Sequence, residues 1–153
     1  MKKLVVAASA VLMLTVGVAL ADAVGPNDVA MADAVVAESL TGVAGDPAAG
    51  RDIMINRKLG NCLACHVNSE IPEQPFHGEV GPPLDGVADR WTEGELRAIL
   101  VDVKQAMNPE SIMPSFYSLK LGARVAEKFE GKTILGAQQV EDVLAYLMTL
   151  KEE

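Results

Sequence analysis

The sequence predicts an all-α domain, and three observations lead there. Apolar residues recur at helical spacing in two stretches, first Leu96, Ile99, Leu100, Val103 and Met107, later Val140, Val143, Leu144, Leu147 and Leu150. Helix-start signals stand at Asp46-Pro47, an N-cap followed by proline, and at Thr92-Glu93-Gly94-Glu95, a capping box. Few runs alternate apolar and polar residues as a half-buried strand does.

Taken in order, the chain begins with a leader. Met1-Lys2-Lys3 forms a positive tip, Leu4 to Ala21 is a weakly polar to apolar run, and Ala19-Leu20-Ala21 is a small-residue cleavage signal. The expected signal peptide is residues 1–21, with Asp22 first in the mature chain and the periplasm as destination. An uncleaved anchor is the alternative, since about 18 apolar residues is the lower edge of what spans a bilayer. The alanine-rich end of the run favours cleavage, which leaves no membrane attachment. Removing 21 of 153 residues leaves 132, and removing Lys2 and Lys3 leaves 11 basic against 21 acidic side chains, a net charge near −10. That excess argues against nucleic acid or an anionic lipid surface as partner. Plain solubility accounts for it equally well.

Residues 22–45 are rich in Ala, Val, Gly and isolated acids without a clear period, and read as an irregular arm, either an ordered partner-binding segment or a loose one. The domain then runs over residues 46–153. Its first helix is expected from Asp46-Pro47 to about Leu59, where Gly60 stops it. Gly50 either permits a close crossing with another helix or is a tolerated imperfection.

Cys62-Leu63-Ala64-Cys65-His66 follows, the arrangement that attaches a c-type haem. Both sulfurs can add to the vinyl groups of one macrocycle, and His66 is carried to the iron as proximal ligand. A thioredoxin-like dithiol would need alternating strands and helices around it, and none are visible. Structural zinc would have only Cys62, Cys65, His66 and His77 to draw on, with His66 directly after a cysteine rather than at a finger spacing. One motif means one haem. It also commits both thiols to thioethers, so no cysteine remains for a disulfide.

Val67 to Val80, with Pro72, Pro75, Phe76 and His77, cannot be a regular helix and reads as a surface loop. In Gly81-Pro82-Pro83 a carbonyl is suited to accept the Nδ1 hydrogen of His66, or the segment is an ordinary rigid turn. The capping box then opens a helix from about Glu93 to Ala106, and a second amphipathic helix, with Tyr146 on its flank, closes the chain.

Between those helices lies Ser111-Ile112-Met113-Pro114-Ser115-Phe116-Tyr117, where the sixth iron ligand is sought, because an electron-transfer haem normally fills both axial positions. Met54 and Met148 fall in expected helices and Met107 on an apolar helix face, where methionine is usually core filler. Met113 alone precedes a proline in a loop, which restricts it to an extended conformation and helps present a weak thioether. His77 and an open site are the alternatives.

Several longer words carry a resemblance over nearly the whole mature chain: Ser39-Leu40-Thr41-Gly42, Asn61 through His66, Phe76 through Leu84, Ile112 through Tyr117, and Val140 through Leu147. They resemble the SoxX family, the small cytochrome subunit of SoxAX complexes, and Arg124 to Leu135 resembles an insertion of that family before its last helix. The resemblance implies a class I cytochrome c fold, His66 and Met113 as axial ligands, and a stable heterodimer with SoxA, whose own haem carries a sulfur ligand. It further implies that the complex oxidatively joins thiosulfate to a cysteine of the SoxYZ carrier, a thiosulfotransferase activity exercised with SoxA, and that this subunit passes electrons to a small cytochrome c. The alternatives are a free periplasmic cytochrome c shuttling electrons to a terminal oxidase, which fold alone does not exclude, and a zinc-stabilised binding module. Docking is expected around the haem edge, through Pro82, Pro83, Phe116 and Tyr117, or through the arm.

Overall fold

The computed structural model describes residues 22–152, and the expected signal peptide lies outside them. Four α-helices follow one another: α1 (Pro47–Ile55), α2 (Val87–Arg90), α3 (Glu93–Ala106) and α4 (Ala137–Leu147). Short 3-10 turns stand at Cys62–Ala64 and Glu127–Phe129. Among the described residues there is no strand beyond an isolated bridge between Ala32 and Val35.

The helix starts follow the expected chemistry. The Asp46 side chain accepts from the Ala48 N–H with Pro47 at the first position. Thr92 and Glu95 cap one another reciprocally at the start of α3. Helix α1 nevertheless ends at Ile55 rather than near Leu59. Asn56 turns extended, its Oδ1 accepts from the Lys58 N–H at 2.9 Å, and its carbonyl accepts from Leu59 and Asn61. This side-chain-closed turn out-competes another helical turn and swings Leu59 onto a cavity wall. The one-turn α2 has too few residues to show a period.

Helices α1 and α4 cross so closely that a Cβ on Gly50 would lie 2.0 Å from the Asp142 carbonyl oxygen. Of the two readings of Gly50, the close crossing is therefore the one observed. Helix α3 packs on α4, and Leu40, Met54, Ile71, Leu135, Val140 and Val143 fill the space between elements with almost no exposure. Each such side chain is worth about 1.5–3 kcal/mol of transfer free energy.

The arm is part of this core rather than loose. Val36 and Leu40 are buried, the Leu40 N–H donates to Glu141 Oε1 at 2.8 Å, and the Val36 N–H donates to the Gly94 carbonyl at 3.0 Å. Arg97 of α3 donates through Nη1 to the Val36 carbonyl at 3.0 Å and through Nε to Glu141 at 3.0 Å, with both side chains about 5% exposed or less. The pKa of Arg97 is raised: burial works against its charge, but the hydrogen bonds and attraction of Glu141 and Glu93 outweigh that. Next along α4, Asp142 Oδ1 accepts from the Asp46 N–H at 2.9 Å. Adjacent carboxylates of α4 thus fasten the arm and the start of α1.

Candidate haem site

The segment after α1 turns sharply because Asn61 adopts the left-handed conformation, φ 50°. The Cys65 and His66 N–H groups both donate to the Cys62 carbonyl, at 3.1 and 3.0 Å, which brings Cys62, Cys65 and His66 onto the wall of one cavity of about 580 Å³. That is the size range of cofactor pockets. The remaining wall is mostly apolar, with Leu96, Ile99, Leu100 and Val103 from α3 and Val143 and Leu147 from α4. The helical stripes read from the sequence therefore face this space as well as each other. Burial pushes the Cys62 thiol up to about 12.

The run from Gly78 to Leu84 lies alongside the motif. Gly78 N–H donates to the Leu63 carbonyl at 2.8 Å, Gly81 N–H to Cys65 at 2.7 Å and Leu84 N–H to Val67 at 2.9 Å. This register sets the Pro82 carbonyl 2.7 Å from His66 Nδ1. A carbonyl can only accept, so Nδ1 is the protonated nitrogen and Nε2 keeps the free lone pair. A Cβ on Gly81 would lie 2.4 Å from the His66 ring, so only glycine lets the backbone approach here.

Met113 is also on the cavity wall, as are Met54 and Met107. Met54 is a buried residue of α1, as expected of core filler, whereas Met107 caps α3 and is 53% exposed, so it is not packed in a core. His77 is not among the wall residues. Its Nδ1 accepts from the Asn68 N–H at 3.2 Å, and its buried Nε2 finds no partner among the described residues. Among the described residues no group of three or more His, Cys, Asp or Glu could hold a metal ion by itself.

The donors fit a covalently held haem: paired thiols, an imidazole with one oriented free nitrogen, a thioether, and an apolar enclosure. Arg57, Lys58 and Lys128 also line the cavity and bring positive charge to a group that carries propionates. Lys128, Phe129 and Ile134 come from the 124–135 segment that resembles a family insertion, and no period or motif in it marks it as a cavity wall; Lys128 Nζ sits 4.5 Å from the centroid of Phe129.

A family model described as "Cytochrome c" matches residues 47–151. Among solved structures, "Crystal structure of SoxXA from P. pantotrophus" is similar at 42% sequence identity and a TM-score of 0.78, over 85% of this chain and 99% of that one. The chain belongs to the SoxX branch of the cytochrome c family. No curated protein matches it significantly. This all-α cytochrome c carries a covalently bound haem, and Cys62 and Cys65 fit the attachment.

The cytochrome's surface differs from expectation in one respect. Phe116 and Tyr117 are buried, at 4% and 6% exposure, and the Tyr117 hydroxyl donates to the Val24 carbonyl of the arm at 2.7 Å. They hold the arm and the core together and offer nothing to a docking partner. Pro82 and Pro83 are exposed as expected, and the apolar side chains exposed on the cavity rim are instead Val80, Met107 and Ile112. Among the described residues no helix is long and apolar enough to cross a membrane.

Proposed function

We propose that the chain is the monohaem electron-transfer subunit of a SoxAX complex, with the iron held by His66 and Met113. The carrying observation is the one cavity wall shared by Cys62, Cys65, His66 and Met113, with His66 oriented by the Pro82 carbonyl. When bound, the haem takes up and gives back one electron at a time, at a potential raised by methionine ligation. The chain's own residues fix the imidazole tautomer and line the cavity mostly with apolar side chains.

The likeness to a SoxXA structure supports SoxA as the partner. In the reaction of such a complex, a SoxYZ cysteine thiol and thiosulfate form a new S–S bond, releasing one proton and two electrons. A one-electron centre cannot hold both, so electrons leave onward to a small cytochrome c acceptor. The family and the leader support export to the periplasm, with cleavage before Asp22; N-terminal sequencing of the exported protein should begin at Asp22, and a retained Met1 would refute cleavage.

The test of the assembly is affinity purification of the tagged holoprotein from cells grown on thiosulfate. A second, sulfur-ligated cytochrome should remain bound in a fixed ratio. Recovery of the haem protein alone at all salt concentrations would point to a free shuttle instead.

A further inference from the structure

Helix α3 is not regular. Asp102 sits inside it at φ −152° and ψ 86°, outside helical geometry. In an unbroken helix each N–H donates to the carbonyl four residues back, so Lys104 would donate to Leu100 and Gln105 to Val101. Here Asp102 Oδ1 accepts from the Lys104 N–H at 3.2 Å and from the Gln105 N–H at 3.4 Å. These are the donors two and three residues on, which an N-cap side chain satisfies. Asp102 therefore caps a second helical segment within α3.

The carbonyls this frees are used by the methionine loop. The Phe116 N–H donates to the Leu100 carbonyl at 3.0 Å and the Tyr117 N–H to the Val101 carbonyl at 3.2 Å. The same Asp102 Oδ1 accepts from Ser115 Oγ at 2.7 Å, and Ser115 is 2% exposed. On the other side of Met113, its N–H donates to Ser111 Oγ at 3.3 Å, and Lys104 Nζ donates to the Ser111 carbonyl. Met113 is thus gripped from both flanks by residues at the break in α3, with Pro114 removing further freedom between it and Ser115.

We propose that Asp102 is a positioning residue for the Met113 thioether, acting through Ser115 and through the carbonyls that its cap releases to the loop. This rests on Met113 being the sixth ligand. Methionine is a weak ligand to haem iron, so its bond depends on the protein presenting the sulfur without a further ordering cost. A carboxylate that ties helix and loop through one oxygen supplies that order. It is not on the cavity wall.

The test uses the holoprotein with Asp102→Ala, Asp102→Asn and Ser115→Ala, and Met113→Ala as reference. Asp102→Ala should keep its covalent haem and helix content but lose the methionine-to-iron charge-transfer band of the oxidised form and shift its midpoint potential negative, towards Met113→Ala. Asp102→Asn retains an acceptor oxygen and should keep most of the band. Ser115→Ala should weaken it. A normal band and potential in folded Asp102→Ala, with only a lower melting temperature, would make the residue a helix cap and nothing more. Should Asp102→Ala not fold, Ser115→Ala decides, because the helix cap remains in it: an unweakened band overturns the proposal. A band that survives Met113→Ala overturns the ligand assignment itself, and this proposal with it, whereas a band lost there but kept in the other variants overturns this proposal alone.

Discussion

His66 and Pro82 stand 2.7 Å apart, ring Nδ1 to backbone carbonyl oxygen, and that single contact fixes Nε2 as the imidazole nitrogen with a free lone pair. It exists because Gly81 has no side chain. In Gly81→Ala the new Cβ would lie 2.4 to 2.8 Å from three atoms of the ring, so ring and carbonyl must part. Overpacking of this kind costs about 1–3 kcal/mol, visible in urea unfolding of the holoprotein. Weakening the Nδ1–H bond makes the imidazole less basic and favours ferric iron less, so the midpoint potential should rise. A potential at or below that of the wild type would show that the contact does not tune the ligand.

Loss of the thioether should move the potential the other way. Met113→Ala is expected to abolish the charge-transfer band and lower the potential, because methionine ligation raises it. His77→Ala should leave both in place, since His77 is not on the cavity wall. With Met107 more than half exposed, Met107→Ala should change stability by only about 0.5 kcal/mol. Absorption spectra and redox titrations of the three variants settle the matter; an intact band in Met113→Ala contradicts the ligand assignment.

The arm gives a stability prediction. Arg97 and Glu141 are almost fully buried and bonded to one another and to the arm backbone. Removing one partner leaves the other charge buried and uncompensated, a cost of about 3–5 kcal/mol. Arg97→Leu or Glu141→Leu should each destabilise on that scale and expose residues 37–45 to proteolysis. The double leucine variant should recover much of the stability yet stay protease-sensitive, because the hydrogen bonds to Leu40 and Val36 are gone. Full protease resistance in the double variant would mean that Val36 and Leu40 dock the arm by apolar burial alone.

The sequence made the haem attachment and the main helices legible, because each depends on neighbouring residues or on a simple period; a carbonyl acceptor in Gly81-Pro82-Pro83 and a close crossing at Gly50 were each one of two open readings. What it hid depends on partners far along the chain. Periodicity marks the faces of α3 and α4 but does not reveal that Arg97 and Glu141, 44 residues apart, meet beneath the arm. The break at Asp102 was hidden for the same reason, since its cause lies partly in Ser115, 13 residues on. Phe116 and Tyr117 were expected in an apolar docking patch around the haem edge; the carbonyls of Leu100 and Val101 draw their backbone inward instead. The end of α1 turned on Asn56, a residue with competing side-chain hydrogen bonds that a helical period does not register.

The most direct measurement of the relay role is anaerobic mixing of purified oxidised holoprotein with thiosulfate, followed by its absorption spectrum. In the proposed ligation His66 and Met113 take both axial positions, so thiosulfate finds no open coordination site, and the net negative charge of the chain disfavours approach of the anion. The isolated protein should therefore stay oxidised, and become reduced when SoxA and the SoxYZ carrier are added. Rapid reduction of the protein by thiosulfate alone would contradict the account and mark it as an enzyme in its own right.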